Sequence, residues 1–445
     1  MTKSKAKPKP TAARPETPRP GAIPEPDAAH ILIQELMATP PEPPGPRRSW
    51  WRRAGRAMLV PALAVLSGLI LGGVLIALTS QEVWQAFQVS VLQGIGTAFA
   101  VVFRTYAALF AGAFGDPVKM AVALQSGDPL LIRRAFNPIL ESMVAATPYI
   151  FAGLSVALAF RGGLFNIGAE GQIFVGAITA TYVGYALVGL PPIIHLPLAL
   201  AAGALGGALW GFIPGWLKAR TGAHEVINTI MMNYIAFRLS DWLLTGPMMR
   251  PDSFNPVSPT IQESAMLPRF FADPIRFHLG FFVALGVAYL VYWFLFRTTW
   301  GFNLRTAGSN PHAARYAGIN TGRWIILTMS LAGALAGLAG TNEVLGVNHN
   351  LAMAFSSGYG FDSIALALLG RSHPLGVVLA ALLFGTLRSG ARRMQVVAGI
   401  PIDIISVIQA MILAFMAAPA IIRTIYRLRQ PAEAGEEVLV RGWGG

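Results

Sequence analysis

Apolar residues run almost unbroken through nine stretches of this chain, at about 57–79, 137–160, 164–190, 195–217, 226–246, 278–298, 322–345, 374–391 and 404–427. Each is long enough to cross a hydrocarbon layer of about 30 Å as a helix rising 1.5 Å per residue. The runs are continuous rather than alternating, so they predict helices and exclude outer-membrane strands. Two further stretches fit less simply. The stretch 92–113 is apolar but holds Arg104, and 359–371 is too short for a straight crossing. Gly203, Gly207, Gly211 and Gly215 recur every fourth residue. Such a stripe lets another helix approach at backbone distance.

Charge orients these spans. Arg47, Arg48, Arg52, Arg53 and Arg56 precede the first run and place the N-terminus in the cytoplasm. The loop 299–321 carries Arg305 and Arg315 and no acid, which makes it cytoplasmic. The loop 247–277 mixes both signs and is expected outside. Arg423, Arg427 and Arg429 put the C-terminus inside as well. An even count follows: about ten spans, with 359–371 as the last member and 92–113 as an external interfacial or re-entrant helix. Arg392 and Arg393 then fall outside, against the rule.

Composition agrees. Of 445 residues, 54% are hydrophobic and only 12% charged, far below the quarter usual in soluble domains. The fold class is therefore all-α, a polytopic integral membrane protein with interrupted or re-entrant segments. The net charge of +13 sits mainly in tails and loops beside apolar runs, not in a nucleic-acid-binding stripe. Residues 1–46 read as a disordered basic, Pro-rich cytoplasmic tail, 47–430 as the transmembrane domain and 431–445 as a second short tail. With no cysteine, thiolate chemistry and Cys-based metal sites are excluded. No cofactor is called for.

The chain is organised around 161–177. There Gly162, Gly163, Gly168, Gly171 and Gly176 interrupt an apolar region that also holds Asn166, Glu170 and Gln172. An interrupted Gly-rich segment with polar groups at membrane depth is the sign of a transport site. Asn166 and Glu170 are four apart, which gives them one face of a helix. A lone carboxylate at that depth costs at least about 2.5 kcal/mol, so Glu170 needs a partner or a wet cavity. It is expected to border a water-accessible path shared with Asn166. Its available partners are Asn166, Gln172 and groups on 226–246. A second cluster, Glu225, Asn228 and Asn233, opens the span after Lys218. For Glu225, a carboxylate at a helix N-terminus near the membrane surface is an equal reading. Asp362 follows Gly358-Tyr359-Gly360 in the short segment. Asn342, Glu343, Asn348, His349 and Asn350 gather at the external end of 322–345, with His349 read as solvated. Ser155 reads as a helix-packing serine.

Enzyme motifs are absent. Beyond the tail the only lysines are Lys119 and Lys218, and neither stands in a phosphate-binding loop. No His-Glu-x-x-His and no Gly-x-Ser-x-Gly occurs. Asn310-Pro311 starts and Gly318 stops a short helix in the cytoplasmic loop, small-residue-rich through Ala313 and Ala314 and ending near Arg315. Such a helix can serve as a peg for another protein.

Four stretches carry a resemblance: 163–172, 222–234, 310–320 and 358–370. Together they resemble permease subunits of bacterial ATP-binding-cassette importers of the branched-chain-amino-acid and sugar class, closest to the nucleoside and simple-sugar branch. The likeness spans about 137–427. It implies an inner-membrane permease for a small polar solute, nucleoside first and simple sugar next, without its own ATPase site. It implies a second permease subunit, cytoplasmic ATPases and an external substrate-binding lipoprotein as partners. It also implies that Asn310, Pro311, Ala313, Ala314, Arg315 and Gly318 form the coupling helix that docks in the ATPase. The alternative is an ion-coupled secondary carrier using Glu170, Glu225 and Asp362 as ion sites.

Overall fold

The structure is a computed structural model that describes residues 50–428 apart from 252, 400 and 402. Both expected tails, 1–46 and 431–445, lie outside the described residues. The chain divides into two compact units between Met58 and Leu59, and apart from the first residues of the first helix everything below concerns the second. Among the described residues there are helices and two isolated bridges but no strand.

Helix α1 (Trp50–Thr79) leads through a short turn helix, α2 (Gln81–Val89), into α3 (Val91–Phe114), and α4 (Pro117–Ser126) connects to α5 (Pro129–Arg161). The stretch 92–113, expected as an interfacial or re-entrant helix, is thus part of one unbroken helix. By length and composition it is one of seven helices among the described residues that can cross a membrane. Its one cation, Arg104, is paired with Glu82 at 2.7 Å. Next come α6 (Ala169–Ala186), α7 (Pro192–Thr221), α8 (Glu225–Thr245) and α9 (Gly280–Arg297). Two short helices follow, α10 (Thr299–Ser309) and α11 (Pro311–Tyr316), and then α12 (Thr321–Asn342), which runs on into a π-helical turn, Glu343–Asn348. The chain ends in α13 (Tyr359–Leu369), α14 (Pro374–Ala398), α15 (Asp403–Ala417) and α16 (Pro419–Ile425).

Helix α6 is the centre of the bundle. Its polar and apolar positions show no sidedness, and thirteen of its eighteen residues are buried, packed by α5, α7, α8, α12 and α13, as expected of a helix largely enclosed by others. The glycine stripe of α7 meets a second stripe on α12. A Cβ at Gly207 would come within 2.8 Å of the Gly337 Cα, and one at Gly176 on α6 within 2.6 Å of the Gly337 carbonyl oxygen. Three backbones therefore touch near Gly337, and dispersion between them replaces the side chains that would otherwise separate them.

Candidate functional site

The break between α5 and α6 occurs where the glycines cluster. Gly163 turns the chain with φ +68°, a left-handed conformation that a Cβ would strain. Its Cα faces the backbone of Gly308, with no room for a side chain between them. This contact ties the break to the end of α10, directly before α11.

Asn166 lies in the break, before the first residue of α6, and so shares no helical face with Glu170. Its side chain closes a local turn instead: Oδ1 accepts from the Gly168 N–H at 3.1 Å, while Nδ2 donates to Gln172 Oε1 at 2.9 Å. Asn233 on α8 reaches across, accepting from the Gly171 N–H at 2.8 Å and donating to the Ile167 carbonyl at 3.0 Å. Asn166, Gln172 and Asn233 are thus one buried amide knot that replaces the backbone hydrogen bonds lost at the break.

Glu170 is bonded to neither amide. Its Oε2 accepts from the Gly360 N–H at 2.5 Å, at the N-terminus of α13, and the residue is 2% exposed. A carboxylate on the free N–H groups of a helix start gains both a hydrogen bond and the helix dipole. That partner came from α13, not from 226–246 as expected. Gly360 packs directly on the backbone of Ala169 and Glu170, a Cβ there falling 2.8 Å from the Ala169 carbonyl carbon. At the other end of α13, Arg161 donates to the carbonyls of Ser372 and Arg371 at 2.9 and 3.1 Å. One loop, 161–170, therefore holds α13 at both ends.

The remaining predicted residues are spread out. Glu225 is buried in the first turn of α8 and ion-paired to Lys218 at 2.5 Å, far along the helix from Asn233. Asn228 is half-buried, and its Nδ2 has no partner among the described residues. Ser155 is fully buried in the core, in keeping with packing. His349 is not solvated as expected. It is half-buried, and Arg269 bonds its Nε2 at 2.7 Å. Next to it, burial pushes the His278 imidazole down to about 4, aided by the nearby Arg269 charge.

Asp362, on α13, belongs to a group that sequence reasoning missed. Tyr149 of α5 donates from its hydroxyl to Asp362 Oδ2 at 2.9 Å and accepts from Arg388 Nη1 of α14 at 2.5 Å. Tyr359 packs edge to face on Tyr149, with ring centroids 5.0 Å apart. A signal existed for Arg388 alone: it is a cation inside an apolar run of spanning length. Tyr149 carried none, since a tyrosine in an apolar run usually means core.

Helix α11 begins as expected. Asn310 Oδ1 accepts from the His312 and Ala313 N–H groups at 3.1 and 3.0 Å, Pro311 opens the first turn, and Gly318 ends it at φ +78°. Ala314 is buried beneath it and Arg315 bonds Thr321 at 3.2 Å. Tyr316, by contrast, is 95% exposed.

Comparison with known proteins gives these features a family. Residues 139–417 match the family of permease components of branched-chain amino acid transport systems. The guanosine ABC transporter permease protein NupP of Bacillus subtilis is 40% identical over 83% of this chain and 95% of its own length. The glucose ABC transporter permease protein TsgB13 of Haloferax volcanii is 34% identical over 68% of this chain and 87% of its own. A second guanosine permease protein of Bacillus subtilis, NupQ, is 27% identical over 56% of this chain and 79% of its own. No solved structure matches. The chain belongs to the branched-chain amino acid transport permease family, and it is a multi-pass membrane protein acting as a permease of an ATP-binding-cassette transporter.

Proposed function

We propose that this chain is one of two permease subunits of an importer that carries a nucleoside inward across the inner membrane. Separate cytoplasmic ATPases drive it and an external lipoprotein delivers the solute. The N- and C-termini and α11 lie on the cytoplasmic side, where the arginine-rich loops fall. The occurrence of two guanosine permease relatives in one bacterium supports a paired assembly.

The observation that carries the reading is α11. It is a capped helix whose large aromatic residue, Tyr316, is left bare, and it adjoins the Gly308–Gly163 contact that leads into the centre of the bundle. An ATPase gripping α11 would move α10, and through Gly163 the loop that holds α13. Asn166, Gln172 and Asn233 keep that loop in shape, Glu170 transmits its position to α13, and Asp362 meets the path. Glu225 and Asn228 line the cytoplasmic approach.

Tyr316→Ala removes the exposed ring without touching the core. Substrate-stimulated ATP hydrolysis by the assembled complex should fall at least about tenfold, with normal permease in the membrane. Gly318→Pro, which is incompatible with a positive φ, should abolish it. Uptake by the purified chain alone, driven by an ion gradient, would instead establish a secondary carrier.

A further inference from the structure

Arg388 sits deep in a spanning helix, roughly 21 Å from Pro374 and roughly 15 Å from Ala398 at 1.5 Å per residue. Two rings fix its direction. Its guanidinium carbon lies 4.9 Å from the Tyr359 ring centre and 5.8 Å from that of Tyr149, within cation–π range. Asp362 stands beside it at 3.9 Å. That is too long for a hydrogen bond, and the Tyr149 hydroxyl bridges the two instead. Asp362 Oδ1 and the rest of the guanidinium have no hydrogen-bond partner among the described residues. The two side chains are nonetheless 37% and 26% exposed. Lipid offers nothing to such groups, so this face needs water, solute or another protein chain against it. Phe361, the residue before Asp362 on α13, is exposed. Polar groups also continue from this face: buried Glu343 faces Tyr359, Arg388 and Arg276, and Arg276 is ion-paired with Glu141.

Resting on the importer reading, we propose that Arg388 and Asp362 bind the vicinal diol of a sugar ring, the ribose of a nucleoside. A carboxylate can accept from both hydroxyls of a diol at once, and a guanidinium can donate to their oxygens. The pair offers both roles side by side, and beyond the Tyr149 bridge Asp362 Oδ1 and the rest of the guanidinium are left for them. The glucose and guanosine named for two relatives differ in size and in the presence of a base, yet both carry a vicinal diol. Tyr149 and Tyr359 are positioning residues that hold the guanidinium toward the path.

The test is uptake of guanosine against 2′-deoxyguanosine by the complete importer, counted per assembled complex. Each variant's ratio is divided by that of the wild type, which cancels the preference of the external binding protein. Asp362→Asn and Arg388→Lys should each lower the guanosine preference about tenfold, the size expected for a hydrogen bond to a charged group. Tyr149→Phe, which keeps the ring and removes the bridge, should lower it less. Unchanged ratios in Asp362→Asn and Arg388→Lys overturn the diol site and leave the importer standing. If the wild type carries glucose and no nucleoside, the nucleoside reading fails. The same ratio for glucose and 2,4-dideoxyglucose, which has no vicinal diol, then decides the diol site by the same criterion.

Discussion

Two groups of polar side chains lie inside this bundle and are built in opposite ways. In the knot at the start of α6, the side-chain amides of Asn166, Gln172 and Asn233 are all bonded, and the Glu170 carboxylate has its backbone partner. All four residues are buried. In the second group, Arg388 and Asp362 are held by aromatic rings but left partly open and incompletely bonded. A closed, saturated polar set has nothing left to offer a solute, and its work is to fix the path of the chain. An open, unsaturated set at membrane depth is costly unless something polar visits it. In the proposed importer, the Gly-rich motif serves scaffold and coupling, and the less conspicuous pair meets the solute.

Four changes break or sharpen this contrast. The largest effect should come from below both groups, at the backbone contact on which the bundle rests. Gly207→Leu would push α7 off α12, and no folded permease should survive detergent extraction and size-exclusion chromatography. Glu170→Leu comes next. It strands the Gly360 N–H and the start of α13, and should lower the unfolding free energy by about 2–3 kcal/mol. Thermal unfolding of the extracted complex reads the loss. Glu170→Gln, which can still accept from that N–H, should lose less. A Leu variant that assembles at wild-type levels yet transports nothing would return Glu170 to the solute path.

Asn233→Ala leaves the Gly171 N–H and Ile167 carbonyl unbonded, and should cost about 1–2 kcal/mol. Uptake per assembled complex should barely change, the opposite of what is expected for Asp362→Asn. The smallest effect lies outside the membrane, in the loop before α9. His278 is held neutral by burial, with its folded value near 4 against 6.5 when unfolded. The unfolded chain therefore binds the extra proton first. Stability from this group is complete above pH 6.5 and declines as pH falls toward 4. At pH 5.5 the loss should be about 1 kcal/mol, and His278→Asn should flatten that part of the stability–pH curve.

Much of the fold was legible because it is written locally. Apolar runs marked the helices to within a few residues, except that 404–427 divides at Ala418, 57–79 and 137–160 extend back to Trp50 and Pro129, and 374–391 runs on to Ala398. Asn310, Pro311 and Gly318 marked α11, since capping and turn geometry involve neighbours in sequence. The glycine stripe on α7 announced a close neighbour but not which one. The site was legible only in part. Asn166 and Glu170 were placed on one helical face because four-residue spacing implies it, yet three glycines end the helix between Arg161 and Ala169. Glu170 was rightly singled out as needing a partner, but its partner could not be named.

What the sequence by itself determined is the membrane-spanning all-α character, the break at 162–168, the capped helix at 311–316 and the family. Each depends on hydrophobicity, glycine or capping within a few residues. Only the tertiary structure decided which polar groups are satisfied and which stand open. Glu170 meets Gly360 across 190 positions, and Arg388 meets Tyr149 across 239. A hydrogen bond forms between whatever groups packing brings within about 3 Å, and packing pairs them without regard to distance along the chain. The saturated knot and the half-open pair each contain a carboxylate at a helix start. Their roles differ because one is enclosed by helices on every side and the other lies at the bundle's edge.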